Sequence, residues 1–364
     1  MKMHCSPLLD VLADPGHMAV LDLAGWDILL RQAHRAGLLS RIAVLAGDLG
    51  LDVPPQAGHW FDAARSIADR QLRAVHWEAR KLDQALANEG VPVVLLKGAA
   101  YALADLPSAR GRVFGDIDIL VPKPSLGRVE GALRLHGWHG THHSAYDQRY
   151  YRQWMHELPP LTHIRRQSTL DVHHNLLPET ARIKTHPEKV IAKAELLPGF
   201  KALHVPCLED LVLHSATHLF HEGEWDHGLR DLADLDALMR HGATREGWWE
   251  ALWQRGEELQ LTVPLALATR YAEALLGTPV PNTLLDRSRR SLSFFGWPLR
   301  DALFLRGFST CHPECRMGGN ALAEFMLYVR SHALRMPPHL LLPHLAYKAW
   351  LAVRGPMPEN AKSR

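Results

Sequence analysis

The hydrophobic pattern of the chain changes near residue 91, and this change limits the folds open to it. Before that point, apolar residues recur at three- and four-residue steps, as in HWFDAARSIADRQLRAVHWEARKLDQALANEG, which ends at Gly90, a plausible C-cap. Residues 91–96, VPVVLL, form a continuous apolar and largely β-branched run, which is typical of a buried strand. The chain therefore combines long helices with at least one strand of an internal sheet.

More strands follow the first. The segment DIDILVP (116–122) alternates acidic and aliphatic residues, which is the period of a strand with one polar and one buried face. Residues 97–106 are expected to form a turn and a short helix, and residues 125–138 a return helix. LPPLTHIRR (158–166) and STLDVHHNLL (168–177) are expected to pair as a hairpin that turns near Gln167.

The strand signal ends near residue 205, and helical periodicity returns in segments such as GLRDLADLDALMRHG. Further helices are predicted over 319–335 and 338–353. The predicted fold class is α+β, a small mixed sheet flanked by helices. The predicted domains are an N-terminal helical region (1–90), a core that contains the sheet (91–205) and a C-terminal helical domain (206–364).

Composition excludes several classes of protein. The chain has 364 residues, of which 47% are hydrophobic, so it can bury a substantial core and is not intrinsically disordered. The net charge of +2, without a basic stripe, does not indicate nucleic-acid binding. The N-terminus makes a poor signal peptide, and the apolar stretch near the C-terminus is interrupted by Pro343, His344 and Lys348. We expect a cytoplasmic protein without a membrane span.

The acidic residues of the predicted strands are the main candidate site. Asp116 and Asp118, at positions i and i+2, project from one face of their strand, and Asp171 has the same apolar–acid–apolar setting in LDVHH. Carboxylates held together repel each other unless a cation lies between them, and Mg²⁺ or Mn²⁺ prefers oxygen ligands. For an isolated Asp-x-Asp, solvated acids on an exposed strand are the commoner arrangement.

The segment before the acids favours the metal interpretation. The first strand runs into Lys97 and Gly98 at a helix start, where a backbone without a Cβ and free N–H groups suit a phosphate. Lys97 and Arg112 are candidate phosphate-binding cations, with ordinary surface charge as the alternative. For Tyr101, helix packing is favoured over stacking on a base.

The segment LLKGAAYALADLPSARGRVFGDIDILV resembles the nucleotidyltransferase superfamily pattern, in which a glycine loop precedes an Asp-hydrophobic-Asp motif. It is most similar to the uncharacterised nucleotidyltransferase family and more distantly similar to nucleotidyltransferase toxins. The resemblance is strong over 91–122 and fair at LDVHHNLL. It implies a polymerase-beta-like core.

The resemblance also implies roles for single residues. Asp116 and Asp118 match the metal-binding pair, and Asp171 matches the third acid, which binds metal and helps to deprotonate the attacking hydroxyl. Gly98 and Ala99 match the phosphate loop, where Ala99 replaces the usual Ser or Gly. The implied reaction is a two-metal transfer of a nucleoside monophosphate from a triphosphate such as ATP to a hydroxyl-bearing acceptor, with release of pyrophosphate.

Several alternatives stay open at this point. The acceptor is a sugar or other saccharide-related compound, a small molecule, a protein side chain or an RNA end. Two other functions compete, namely an inactive nucleotide- or partner-binding module and a toxin acting on RNA.

Other polar groups carry weaker predictions. Cys311 and Cys315 form a single pair, and a loop with two free thiols is favoured over a zinc site. Three further sets are candidates for lining a cleft or contacting substrate: His173 beside Asp171, the helical histidines His214, His218 and His221, and the acids Asp231, Asp234 and Asp236.

Overall fold

A computed structural model describes residues 6–140, 151, 154–221, 225–292, 296–309, 318–337, 339 and 341. Cys5, Cys311 and Cys315 lie outside the described residues, as does the predicted helix over 338–353 apart from residues 339 and 341.

The N-terminal region is helical, as predicted. Its helices are α1 (Pro7–Ala13), α2 (Leu23–Arg35), α3 (Leu39–Asp48) and α4 (Pro55–Leu86). The side chain of Asp22 caps α2 by accepting a hydrogen bond from the Gly25 N–H. Helix α4 packs against α3 and against the helices of the next region, so the N-terminal helices contact the core that contains the sheet.

Among the described residues, the strands form one seven-stranded sheet in the order β3-β4-β5-β2-β1-β7-β6. Its strands are β1 (Val93–Leu96), β2 (Ile117–Leu120), β3 (Trp138–Gly140), β4 (Leu161–His163), β5 (Thr169–His173), β6 (Glu195–Leu196) and β7 (Leu203–Val205). The helices of this region are α5 (Lys97–Leu103), α6 (Leu126–Leu135) and α7 (Pro187–Lys193).

The central strands run in mixed directions. Strand β2 is antiparallel to β1 and parallel to β5. The predicted hairpin is present as β4 and β5, and Gln167 between them has a φ of 58° in the left-handed region that a tight turn requires. Strands β1 and β2 have four residues each, and all of these residues are buried. Strand β2 is therefore covered on both faces, whereas the alternation of its sequence predicted one buried and one polar face.

Helices follow the sheet. They are α8 (Leu208–His221), α9 (Gly228–Gly242), α10 (Trp248–Glu258), α11 (Thr262–Leu276), α12 (Asn282–Ser291), α13 (Trp297–Phe308) and α14 (Asn320–Arg335). The predicted α+β class, with helices before and after a small mixed sheet, is confirmed. The division into three domains stays a prediction.

One hydrophobic cluster extends from Leu8 to Leu327 and includes residues of the sheet and of the helices on both sides. Within the part of the chain that the structure describes, no helix has both the length and the apolar character needed to cross a membrane.

Candidate active site

The pairing of β2 with β5 brings the predicted acids together. In this parallel pair Asp118 lies directly beside Asp171, and Asp116 immediately precedes β2. Oxygen atoms of the three carboxylates all lie within 4.8 Å of one another. This spacing is close enough for one cation to contact all three side chains.

The positive charge of His173 compensates the Asp171 carboxylate only in part. Burial raises the pKa of Asp171 to about 7, and the negative charges of Asp118 and Glu157 act in the same direction. The Oδ1 atom of Asp171 is buried and accepts no hydrogen bond from any residue that the structure describes. A buried carboxylate oxygen without a donor is unfavourable, so a cation at this point would relieve both the repulsion and the unsatisfied oxygen.

Asp118 is in a different state. Its Oδ1 lies 3.2 Å from Lys97 Nζ and 3.0 Å from His173 Nε2. Burial alone would raise the pKa of Asp118, but the Lys97 charge and the His173 hydrogen bond outweigh burial and hold the pKa well below its usual range. Asp118 is therefore ionised, with one oxygen already engaged.

The position of Lys97 follows from the β1–β2 register, in which Leu96 pairs with Asp118. The next residue therefore starts its helix beside the carboxylate. Lys97 adopts a φ of 45°, an unfavourable conformation for a residue with a side chain, and such strain is often found at ligand sites. The predicted phosphate-binding lysine thus contacts an acid of the cluster and also lines the cleft beside it.

Arg112 occupies the space above Gly98. A Cβ built on Gly98 would lie 2.4 Å from Arg112 Nη1, so glycine is needed here for the close approach of a protein side chain. Arg112 Nε donates to Asp234 Oδ2 at 2.8 Å, and the guanidinium lies over the rings of Tyr101 and Phe114. The arginine predicted to face phosphate is therefore held in a buried ion pair at the cleft wall.

Asp234, on α9, binds a second arginine. Arg41 Nη2 donates to Asp234 Oδ1 at 2.6 Å and to the Ser108 carbonyl oxygen at 2.6 Å. Burial would raise the pKa of Asp234, but Arg112 and Arg41 together lower it. This network joins α3, α9 and the loop before β2, and it fixes the loop that leads to Asp116.

A cleft of about 620 Å³ opens beside the acids. Asp116 and Asp118 line it together with Lys97, Gly98 and side chains of α8 and α9, whereas Asp171 lies next to these acids and does not line the cleft. Arg230, which pairs with Asp231 at 2.9 Å, brings a further cation to the wall. A second cavity of about 500 Å³ lies between α1, α3 and α9, and none of the three acids lines it.

The remaining predicted residues are distributed unevenly. Ala99 is 2% exposed, so its methyl group packs inside the protein and does not line the cleft. Tyr101 is also buried and hydrogen-bonds to Ser215, which is a packing role. His218 lines the cleft, whereas His214 and His221 are buried.

Of the three acids on α9, Asp231 and Asp234 line the cleft, while Asp236 accepts hydrogen bonds from Arg240 and Thr278 near the second cavity. Among the described residues, the histidines of α8 do not belong to a group with metal-ligand spacing.

Three residues that line the cleft or contact residues of the site were not predicted from the sequence. Arg41 carried no signal, because its partner is 193 residues away. Glu157, beside His173, belongs to a segment that pairs with β5 only through an isolated bridge. Arg230 directly precedes Asp231 in the sequence, but it belongs to no motif that would have indicated a role.

The arrangement of the three acids agrees with the result of comparing the sequence with models of protein families. A family model described as uncharacterised nucleotidyltransferase matches residues 22–277, a range that contains the sheet, the three acids and the cleft. The chain belongs to this family. Searches of curated proteins and of solved structures gave no match. Membership in this nucleotidyltransferase family assigns the chain to nucleotidyl transfer in general and implies a nucleoside triphosphate as substrate.

Proposed function

We propose that the protein is an active, divalent-metal-dependent enzyme that transfers a nucleoside monophosphate from a nucleoside triphosphate to a hydroxyl-bearing acceptor. The observation that carries this proposal is the convergence of Asp116, Asp118 and Asp171, whose oxygens lie within 4.8 Å of one another beside a cleft of about 620 Å³ that Asp116 and Asp118 line. Family membership supplies the reaction class, and the acids supply the site.

The donor set fits Mg²⁺ or Mn²⁺. All three residues offer carboxylate oxygens, the ligands that hard divalent cations prefer. Within the described part of the chain Asp171 Oδ1 has no hydrogen-bond donor, and burial together with the neighbouring negative charges raises the pKa of Asp171 to about 7. A cation held by the three acids would neutralise charge on the triphosphate and make the acceptor hydroxyl easier to deprotonate.

The protein's own residues then have separate roles. Lys97 and Gly98 line the cleft. Both are proposed to contact the triphosphate, the lysine as a point charge and the glycine through its backbone. Ala99 is proposed to contribute its backbone N–H alone, since its side chain is buried. Arg112 is proposed to act on the phosphates from its place in the Asp234 ion pair, which holds the guanidinium in one orientation.

The proposed reaction forms a bond between the acceptor oxygen and the α-phosphorus and breaks the bond from that phosphorus to the oxygen of the β-phosphate. Pyrophosphate leaves with the electron pair of the broken bond. The proton of the acceptor hydroxyl is proposed to pass to the Asp171 carboxylate, which has one oxygen without a hydrogen-bond donor among the described residues.

The cleft wall indicates the character of the acceptor. Arg230, Asp226 and Asp231 also line the cleft and offer both charge signs and several hydrogen-bonding atoms. This mixture suits a polar, hydroxyl-rich molecule better than an extended phosphate backbone, which would require a basic surface. A saccharide-related or similar small acceptor is therefore favoured over RNA.

One observation favours a second candidate function, a module that binds nucleotide without transferring it. Lys97 already neutralises part of the Asp118 charge at 3.2 Å, as a substitute cation would. In that case nucleotide would bind without any need for metal.

Titration calorimetry with ATP, CTP, GTP and UTP separates the two functions. For an enzyme we expect binding of at least one triphosphate to require Mg²⁺ and to weaken by at least about tenfold in Asp116→Asn. The control is Asp69→Asn, which removes one exposed negative charge on α4 and should leave affinity unchanged. Pyrophosphate release with a panel of sugar and small-molecule alcohols then identifies the acceptor.

Equal nucleotide affinity with and without Mg²⁺, together with no pyrophosphate release, would contradict the enzymatic proposal and support the binding module.

A further inference from the structure

A second group of potential ligands lies behind the acids. It consists of His156, Glu157 and His173, whose ligand atoms all lie within 4.8 Å of one another. We propose that these residues bind a divalent transition metal of the zinc class, at a site separate from the three acids. The proposal rests on its own ligand set and does not require the transfer reaction.

The backbone holds two of the ligands side by side. Glu157 and His173 are partners in an antiparallel bridge, flanked by hydrogen bonds from Leu158 N to Val172 O at 2.9 Å and from His174 N to His156 O at 2.8 Å. In this arrangement the bridged residues do not bond to each other, and the side chains of such pairs approach most closely. The frame is therefore rigid where the ligands begin.

His173 has the orientation of a metal-binding histidine. Its Nε2 lies 3.0 Å from Asp118 Oδ1, and its Nδ1 lies 3.3 Å from Glu157 Oε2. Histidines that ligate metal commonly donate their other ring N–H to a carboxylate, which fixes the tautomer and strengthens the ligand. Asp118 supplies that carboxylate, so Nδ1 is the nitrogen left for a metal.

His156 is the third potential ligand and lies close to His173. Its ring lies 5.2 Å from the ring of His173, centroid to centroid, and the two planes are tilted by 35°. His156 is 9% exposed and His173 is 4% exposed, so solvent has little access to either ring. Buried imidazoles that converge with a carboxylate form a preorganised site.

The donor types separate this site from the three acids. Two imidazole nitrogens and one carboxylate suit Zn²⁺ and neighbouring transition metals, and the same set with an open position occurs in zinc enzymes. The three carboxylates suit Mg²⁺ or Mn²⁺. Because His173 contacts Asp118, the two sites share one side-chain contact, and metal at the histidine site would fix the orientation of Asp118.

A metal-free arrangement of the same residues is the alternative. Burial disfavours the charged ring, but the hydrogen bond to Asp118 and the charge of Glu157 together raise the pKa of His173. A proton on Nδ1 would then bridge to Glu157 and take the place of the metal. The two arrangements differ in whether a transition metal binds with nitrogen ligands.

Cobalt titration of the full chain distinguishes them, since Co²⁺ substitutes for Zn²⁺ and absorbs strongly in the visible range when imidazole binds it in a distorted tetrahedral site. We expect one Co²⁺ per chain with this absorption, displaced by Zn²⁺. His156→Gln should weaken Co²⁺ binding at least about tenfold. The matched control is His139→Gln, which removes an exposed histidine of β3 and should change nothing.

Two further variants make the outcome decisive. Asp116→Asn should keep the cobalt spectrum, because Asp116 belongs only to the carboxylate group. Glu157→Gln repeats the ligand test if His156→Gln fails to fold by circular dichroism. An absent visible band, or a band unchanged in whichever ligand variants fold, would overturn the proposal. A normal cobalt spectrum in a protein without transferase activity would contradict only the proposed function.

Discussion

Asp234 and Asp171 are both largely buried aspartates, but the charges around them are opposite. Asp234 accepts hydrogen bonds from Arg41 and Arg112, and the pair of arginines lowers its pKa. Asp171 lies beside Asp118 and has an unsatisfied oxygen, and its pKa is raised to about 7. Both carboxylates were visible in the sequence as acids in apolar surroundings.

The charges around a buried aspartate indicate whether it has a structural role or binds a ligand. Removal of one partner from a buried ion pair is strongly destabilising, because the other charge is left uncompensated. A carboxyl group whose pKa is strongly raised by burial and by neighbouring negative charges is instead a candidate for a functional site. On this basis the Asp234 network holds the cleft together, and the Asp171 cluster is where a cation is expected. Substitution of these residues tests whether Asp234 is structural and Asp171 binds a ligand.

Substitution of Asp234 should have the largest effect on stability. In Asp234→Asn two buried arginines lose their counter-charge, so we expect the free energy of unfolding to fall by about 3–5 kcal/mol. Urea denaturation monitored by circular dichroism measures the change. Asp69→Asn, an exposed acid on α4, should change it by less than about 0.5 kcal/mol. A loss of under about 1 kcal/mol in Asp234→Asn would show that the network is not structural.

Gly98→Ala probes how rigidly that network holds Arg112. The added Cβ would meet Arg112 Nη1 at 2.4 Å, and overpacking of this kind costs about 1–3 kcal/mol. The matched control is Gly58→Ala in α4, where a Cβ meets no atom within 4 Å and alanine should stabilise the helix. In the Asp234→Asn background the Gly98→Ala penalty should shrink, because Arg112 can then move. An equal penalty in both backgrounds would contradict this explanation.

Asp171→Asn should have the opposite sign to Asp234→Asn. The folded-state pKa of Asp171 is raised from 3.8 to about 7, so the folded protein loses stability as pH rises through that interval. Above it the penalty is complete, and asparagine removes it. We expect the metal-free variant to gain about 0.5–2 kcal/mol at pH 8, measured by thermal unfolding in a chelator. A lower melting temperature would mean that Asp171 is a structural acid.

The pH dependence of Mg²⁺ binding is the smallest predicted effect. A cation competes with a proton for Asp171, so affinity should rise with pH until the group is ionised. With a pKa of about 7, we expect affinity to fall about twofold from pH 8 to pH 7 and about tenfold per unit at lower pH. Isothermal titration in two buffers, which also reports proton release, measures this. Affinity independent of pH over this range would contradict the assigned charge state.

The sheet and its acids were predictable because their signals are local. Period-two alternation identified β2, the apolar run identified β1, and apolar neighbours of Asp171 identified β5. Strands β3, β6 and β7 were missed because each has only two or three residues, too few for a period to be visible. Strand β4 is equally short, but it was predicted as the partner of β5 in a hairpin. Strand β7, which lies between β1 and β6, is positioned from a distance, since Asp83 Oδ1 on α4 accepts hydrogen bonds from the backbone N–H groups of Lys201 and Ala202 just before the strand.

The side-chain contacts of the site were less predictable because they join distant parts of the chain. Arg112 was expected at phosphate, yet its strongest contact is Asp234, at a separation of 122 residues. The contact between Lys97 and Asp118 depends on the β1–β2 register, which single-strand periodicity does not specify. Residue types and faces can be predicted locally, whereas their partners follow from tertiary packing.

The most direct test of the central claim is Mn²⁺ binding to the carboxylate cluster, measured by the paramagnetic resonance signal of free Mn²⁺. The His156→Gln background removes the second proposed site from the measurement. We predict that one Mn²⁺ binds per chain and that Asp171→Asn or Asp116→Asn weakens binding at least about tenfold. Binding of equal strength in both aspartate variants would contradict the claim that these acids hold a common cation.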